Sequence, residues 1–145
     1  MKEHIISHLV KSEDLNHHGT LFAGRSAEWL IESGFVAAAA EHGRPQDVVC
    51  VNVHGFVFKT PVQKGTILTM SSRVARVGRS SMTIYVKAVD EIEQTQNVSG
   101  FLTFVCLEPD TQKPRPHGIV LDETQSPEEE EIRQKANELF DEIKE

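Results

Sequence analysis

Two glutamates in an apolar helical segment are the residues of this chain whose chemistry first needs an explanation. Glu28 and Glu32 lie four residues apart in AGRSAEWLIESGFVAAAAE, a segment that is apolar around nearly its whole circumference. This spacing puts both carboxylates on one face of a helix. An exposed pair would be a solvent stripe, whereas partial burial at a cleft would raise a carboxyl pKa and favour a general base or a nucleophile. We expect partial burial for Glu32, which borders the apolar sector, and more solvent for Glu28.

The loop before this helix could supply the rest of a reaction site. It reads NHHGTLFAG from Asn16 to Gly24, and the first turn of the helix follows with free backbone amides. Such amides, at Ala23 and Gly24, can polarise a carbonyl oxygen, and glycine lets a ligand approach closely. Asn16, His17 and His18 lie in this loop, just upstream of the helix.

The hydrophobic pattern predicts the elements that position these residues. Short links between the strand-like runs favour antiparallel neighbours. One helix after the first strand would cover one face of the sheet, so the class is α+β. The predicted elements are strands at 3–11, 47–59, 66–77, 80–90 and 97–108, and a helix from Ala23 to about Glu41, where Gly43 and Pro45 end it.

The C-terminal segment predicts a second, amphipathic helix. Ser126 is suited to be its N-cap, Pro127 its first residue and Glu129 the acid of a capping box. Its apolar stripe consists of Ile132, Ala136, Leu139, Phe140 and Ile143. We therefore divide the chain into a core domain at 1–122 and an appended helix at 123–145.

Composition excludes several classes of function. The 145 residues fit one domain, and the net charge of -7 argues against nucleic acid as a partner. No apolar run is long enough to span a membrane, and the first residues lack a secretory pattern. Cys50 and Cys106 lie in strand-like runs without metal-ligand spacing, so we expect buried, reduced thiols in a cytoplasmic protein and no metal.

Four sequence blocks, in order, resemble the hotdog-fold acyl-CoA thioesterases, most closely those of the YciA and brain acyl-CoA hydrolase type. They are NHHGTLFAG with the following EW, then FKTPVQKG, VGRSSM and FLTFVCLEPD, between about residues 8 and 116. The resemblance implies a hotdog fold, in which an antiparallel sheet wraps around a central helix. It also implies hydrolysis of a fatty or other acyl-CoA to free acid and CoA, with coenzyme A as part of the substrate and no further cofactor.

This chain departs from the family pattern at one important position. The family acid, usually Asp, falls seven residues after the second signature glycine, and Ile31 stands there in this chain. Glu32 is one residue further on, about 100° around the helix. We expect Glu32 to be the catalytic carboxylate. By resemblance, Asn16 would orient the water or the carbonyl oxygen, or else only bond within its own turn, and His17 would be catalytic or an exposed loop residue. The alternatives are a weak or inactive acyl-CoA-binding protein, or a hotdog dehydratase or hydratase using His18 and Glu32.

The segment RVARVGRSSM is the expected coenzyme A site. Gly78 would let the pantetheine arm lie against the strand, Ser80 and Ser81 would bond its amides, and Arg76 or Arg79 would meet phosphate, with Lys59 adding a contact. A plain type I′ or II′ hairpin turn with exposed arginines explains the same residues. By resemblance we expect a homodimer with sites between subunits, or a tetramer or hexamer built from it.

Overall fold

The computed structural model describes residues 1–144, with side chains through Asp141. Two short 3-10 helices, at Ser12–Asp14 and Pro45–Asp47, interrupt the connections between the longer elements. The longer elements are β1 (His4–Leu9), α1 (Ala23–His42), β2 (Val48–Phe58), β3 (Ile67–Val77), β4 (Ser81–Asp90), β5 (Gln96–Cys106) and α2 (Pro127–Lys144). Every strand and helix predicted from the sequence is present, with ends that differ by one or two residues.

The five strands form one antiparallel sheet in the order β1-β3-β4-β5-β2. Strand β2 is therefore an edge strand, although it follows α1 directly in the chain. Most side chains of β2 are exposed, including Val49, Val51, Val53 and Val57. Cys50 is exposed for the same reason, so the predicted burial of this thiol is wrong, whereas Cys106 on β5 is buried and both thiols are free.

The two helices lie on opposite faces of the sheet. Adjacent residues of a strand point to opposite faces, and on β3 the Ser72 hydroxyl bonds to Ser33 of α1 while Arg73 pairs with Glu129 of α2. The core lies between α1 and the inner face of the sheet. Gly34 of α1 packs against that face, where a Cβ on residue 34 would collide with Leu102. The largest fully buried side chains of this core are Phe104, Leu30, Leu68, Met70, Met82, Ile84 and Leu102.

The appended helix α2 begins as predicted but uses Glu129 differently. The Ser126 hydroxyl accepts a hydrogen bond from the Glu129 amide at 3.3 Å, which makes it the N-cap. The Glu129 carboxylate accepts from Arg73 Nε at 2.7 Å instead of completing a capping box. Ala136 is buried against the sheet, and the side chain of Ile143 lies outside the described residues.

Candidate active site

A cavity of about 260 Å³ opens where the loop before α1 meets the segment that follows β2. The two segments are held together by a 2.8 Å hydrogen bond from the Leu21 amide to the Val62 carbonyl oxygen. The walls are mostly apolar, and Asn16, Ser26, Lys59 and Thr60 add polar groups. Two blocks quoted for the resemblance, NHHGTLFAG and FKTPVQKG, thus meet at one site.

The N-terminus of α1 forms one end of this cavity. Ala23 lines it, and no acceptor is recorded among the described residues for the amides of Ala23 and Gly24. The N-cap, Phe22, makes no side-chain capping bond, and its ring covers Gly24 so closely that a Cβ there would lie 2.6 Å from Cε2. Two amide donors are therefore available beside the cavity, where they can polarise a bound carbonyl oxygen.

Asn16 lines the cavity, but its side chain bonds within its own loop. Its Oδ1 accepts from the amides of His18 at 2.8 Å and Thr20 at 3.2 Å, and its Nδ2 donates to the Thr20 hydroxyl at 3.1 Å. These bonds give the loop its shape and hold Asn16 at the cavity wall. His17 and His18 are both exposed, with ring centroids 3.9 Å apart.

The two glutamates of α1 lie outside the cavity in the single chain. Helix α1 rests on the sheet through Leu30, Gly34 and their neighbours, so Glu28 and Glu32 project from the opposite face and both are exposed. The expected partial burial of Glu32 is therefore wrong for one chain alone. Ile31, at the position of the family acid, is half-buried against the core.

The turn at Gly78–Ser81 divides the predicted coenzyme A residues into exposed and buried groups. Arg79 is exposed and Ser80 is half-buried, whereas Ser81 is buried. Neither Arg79 nor Ser80, the central residues of this turn, has positive φ, so the turn is neither type I′ nor type II′. Glycine at position 78 lets two side chains approach closely, because a Cβ would lie 2.6 Å from both Arg76 Nη2 and Ser81 Oγ.

Arg76 is the most enclosed of these residues. Only 7% of it is exposed, and its guanidinium donates to the hydroxyls of Ser81 and Thr83 at 3.2–3.3 Å. The Phe140 ring of α2 covers it, with the guanidinium carbon 3.3 Å from the ring centroid. Burial lowers the pKa of Arg76 from its ordinary value, and Asp141 opposes that shift. Nothing in the sequence pattern pairs residues 76 and 140.

One chain does not bring the cavity and the turn together. Along β5, Val98 pairs with Phe58 beside the cavity, and Val105 pairs with Ser81 at the turn. These partners are seven residues apart, roughly 23 Å of strand. Lys59 and the Gly78–Ser81 turn therefore lie at opposite ends of the sheet of one protomer.

Sequence reasoning missed one polar pair beside the cavity. Asn97, which is 5% exposed, donates from Nδ2 to the Thr60 hydroxyl at 2.7 Å, and its Oδ1 has no partner in the described part of the chain. Thr60 itself lines the cavity. Because Asn97 lies outside the matched blocks, only the three-dimensional arrangement reveals this pair.

The described residues form neither a metal-binding cluster nor a membrane-spanning helix. They contain no group of three or more His, Cys, Asp or Glu side chains arranged to hold a metal ion. Neither α1 nor α2, over the described ranges, combines the length and apolar character that crossing a bilayer requires.

Comparison with known proteins assigns the fold and then the family. A Staphylococcus aureus acyl-CoA hydrolase, solved with butyryl coenzyme A and coenzyme A, superimposes with a TM-score of 0.85 at 26% identity over 98% of this chain and 84% of that one. A hexameric acyl-CoA thioesterase superimposes with a TM-score of 0.84 at 27% identity over 98% and 90%. The fold is thus the hotdog fold of thioesterases, as predicted. The sequence model of the Thioesterase superfamily matches residues 18–96, and this chain belongs to that family.

Two curated relatives agree with the predicted enzyme class, thioester hydrolase. The uncharacterized acyl-CoA thioester hydrolase YkhA of Bacillus subtilis is 33% identical over 123 residues, covering 82% of this chain and 67% of the relative. Another uncharacterized acyl-CoA thioester hydrolase, from Zymomonas mobilis, is 35% identical over 104 residues, covering 66% and 65%. This chain thus spans about two thirds of the length of either relative.

Proposed function

We propose that this chain hydrolyses acyl-CoA thioesters to a free acid and coenzyme A. One observation carries the proposal: the amides of Ala23 and Gly24 have no acceptor among the described residues, and Ala23 lines a mostly apolar cavity built from two family blocks. The amides of Ala23 and Gly24 would donate hydrogen bonds to the thioester carbonyl oxygen as it gains negative charge. The cavity would hold the acyl group, and its volume suits a short chain better than a long one.

In the proposed reaction, Glu32 removes a proton from the attacking water. Because Glu32 lies outside the cavity of its own chain, this role requires a site completed by a second protomer. The water oxygen bonds to the thioester carbon, and the oxyanion rests on the amides at the N-terminus of α1. The intermediate then releases the thiolate of coenzyme A, which takes up the proton, so that one water is consumed for one acid and one thiol. Asn16 would hold the loop, with His17, in the shape that positions the water.

The position of the acid departs from the related Staphylococcus aureus enzyme. The aspartate substituted in one structure of that enzyme follows the asparagine substituted in another by 15 residues. Fifteen residues after Asn16 is Ile31, which cannot move a proton. Glu32, one residue later, is the carboxylate we propose in its place.

We further propose a homodimer in which the two β2 strands pair across a two-fold axis. Strand β2 is an edge strand with exposed Val49, Val51, Val53 and Val57, an arrangement that invites pairing with another strand. Antiparallel pairing of β2 with its copy sets the Phe58 end of one protomer beside the Val48 end of the other. Val48 pairs with Cys106, whose amide bonds to Ser80.

This arrangement unites the two halves of the site. The cavity and Lys59 of one protomer would face the Gly78–Ser81 turn of its partner, two or three strands away, roughly 10–15 Å. An extended pantetheine arm spans that gap, so Arg79, Ser80 and Ser81 could bind it and its phosphates. Arg76 would contribute beneath them. Hexameric acyl-CoA thioesterases among the similar structures support assembly beyond a dimer.

We also propose a division of the chain at residue 122 and a cytoplasmic location. The core at 1–122 carries every residue assigned to chemistry, and the helix at 123–145 is an addition. The two free cysteines are consistent with a reducing, cytoplasmic environment.

Release of free thiol from acyl-CoAs of two to sixteen carbons tests the proposal directly. We expect turnover that is highest for short chains, in line with the cavity volume. Hydration of enoyl-CoAs, followed in parallel, would reveal a dehydratase or hydratase instead. Ile31 favours one other function, binding of acyl-CoA without turnover. Saturable binding of butyryl-CoA with no thiol release from any substrate would establish that function and overturn the first.

A further inference from the structure

The guanidinium of Arg76 is a buried cation for which the described side chains provide no ion-pair partner. Within the described part of the chain, its hydrogen bonds go to the hydroxyls of Ser81 and Thr83 on β4. Burying a charge away from water is costly unless an opposite charge compensates it. Asp141, at the same end of α2, acts on it only through its field. A bound anion at this position would compensate the buried charge of the guanidinium.

The surroundings of Arg76 resemble a small anion cradle. Its Nη1 and Nη2 both reach the Ser81 hydroxyl, at 3.2 and 3.3 Å, next to the exposed Arg79. The absence of a side chain at Gly78 lets Arg76 Nη2 and the Ser81 hydroxyl lie close to the backbone of the turn, since a Cβ there would lie 2.6 Å from both. Two arginines, a hydroxyl and a bare backbone at one turn are the groups that bind phosphate well.

The helix that covers this cradle is attached unevenly. Near its start, Glu129 pairs with Arg73 at 2.7 Å, and Arg133 pairs with Asp122 at 2.6 Å. Beyond Arg133, the polar contacts recorded for the described side chains of α2 stay within the helix. At that end of α2, the Phe140 ring makes a cation–π contact with Arg76. Ion pairs hold the first half of α2, whereas its second half packs through the buried Ala136 and the contact of Phe140 with Arg76.

We propose that Arg76 is a phosphate-binding residue held under Phe140, and that α2 controls access to it. A phosphate of coenzyme A competes with the Phe140 ring for the guanidinium, and the end of α2 lifts when phosphate binds. Helix α2 thereby sets how strongly the enzyme prefers CoA thioesters over thioesters that carry no phosphate. The inference rests on the proposed function and adds a regulatory device to the same site.

The decisive comparison uses two substrates with the same acyl group, butyryl-CoA and butyryl-pantetheine. In Phe140→Ala the guanidinium is uncovered, so KM for butyryl-CoA should fall about tenfold, the equivalent of one charge-assisted hydrogen bond. The KM for butyryl-pantetheine and kcat for both should stay unchanged. Arg76→Met keeps the apolar stem without the charge, an exchange that buried sites tolerate. In that background Phe140→Ala should have no effect.

Leu139→Ala is the matched control, since it removes apolar contact from the same turn of α2 without uncovering Arg76. Equal effects of the two alanine variants on KM would overturn the proposal, and so would an equal effect of Phe140→Ala on both substrates. Phe140→Leu, which keeps an apolar side chain but loses the aromatic face, repeats the measurement if Phe140→Ala does not fold.

A binding measurement separates this inference from the proposed reaction. Calorimetric titration with adenosine 3′,5′-bisphosphate, the nucleotide part of CoA, needs no turnover. We expect about tenfold tighter binding to Phe140→Ala than to the unmodified chain, and loss of that gain with Arg76→Met. If Phe140→Ala binds the bisphosphate more tightly while no thioester is cleaved, the phosphate site is supported and the proposed reaction is refuted. If thioesters are cleaved but Phe140→Ala binds the bisphosphate no more tightly, the proposed reaction is supported and the phosphate site is refuted.

Discussion

The hydroxyl of Ser72 on β3 donates a 2.8 Å hydrogen bond to the main-chain carbonyl oxygen of Ser33 in the middle of α1. Both residues are buried, so the bond fixes where the helix lies along the sheet. The start of α1 is thereby set against the cavity more than two turns away. A contact within the core thus positions the amides proposed to bind the substrate.

Ser72→Ala should therefore cost stability. We expect the free energy of unfolding to fall by about 1 kcal/mol, the usual net worth of such a bond. Urea denaturation followed by circular dichroism measures it. Ser7→Ala is the control, because the Ser7 hydroxyl bonds to Thr69 at an exposed site. A loss from Ser7→Ala as large as that from Ser72→Ala would contradict the role given to burial.

Glu32→Gln should slow thiol release by about 100-fold or more while coenzyme A binding stays nearly unchanged, because a general base is lost and the shape is kept. Glu28→Gln is the matched control one helical turn away, and we expect it to keep most of the activity. Asn16→Ala should lose somewhat less than Glu32→Gln. Wild-type turnover by Glu32→Gln would shift the assignment to Glu28 or to no acid at all.

Val53 is the central residue of β2, so in the proposed dimer it lies nearest to its own copy. Val53→Lys places two like charges opposite each other across the axis, which destabilises strand pairing. Sedimentation at micromolar concentration should show a shift from dimer toward a 16.2 kDa species. Ile92→Lys, in the exposed turn between β4 and β5, should leave the assembly unchanged. An unmodified chain that sediments only as a monomer would refute the dimer.

Removal of residues 123–145 should leave a core that still unfolds cooperatively, since the main hydrophobic core lies between α1 and the sheet. We expect a lower Tm, because Arg73 and Arg76 lose their covering contacts with Glu129 and Phe140. Differential scanning calorimetry distinguishes the outcomes. A truncated chain without a cooperative transition would make α2 part of the core.

His42, at the end of α1, gives stability a pH dependence. Burial lowers its pKa from the ordinary value of 6.5, with His117, Arg115 and Arg44 adding to the shift and Asp47 opposing it. The folded state therefore binds this proton less readily than the unfolded chain, and stability falls as pH drops below about 6.5. His42→Gln should reduce the loss between pH 7 and 5. The exposed His17→Gln should not, and equal pH profiles for all three proteins would disprove the assignment.

Local sequence signals predicted the elements well, because the residues that end helices and strands act locally. Gly43 adopts φ of 85° and ends α1 within one residue of the predicted position, and Ser126 caps α2 as expected. Such signals depend on the conformation of a few neighbouring residues, so they can be read without the rest of the fold.

The exposure of single residues was harder to predict, because it depends on contacts between distant segments. The periodicity of α1 left Glu32 beside the apolar sector, yet the face that docks on the sheet turns this residue to solvent. The residues around Cys50 have the composition typical of a buried strand, but Cys50 lies on an edge strand and is exposed. Which strand lies at the edge depends on the strand order of the whole sheet. The cover of Phe140 over Arg76 joins residues 64 apart in sequence.

In the proposed dimer, the roughly 23 Å between the two ends of β5 would make each complete site depend on two chains. A lone protomer holds the cavity at one end of its sheet and the Gly78–Ser81 turn at the other. Complete sites would then form only as dimers form. Well below the dimer dissociation constant, their number falls with the square of the protein concentration. Specific activity would therefore fall on dilution even though every chain stays folded.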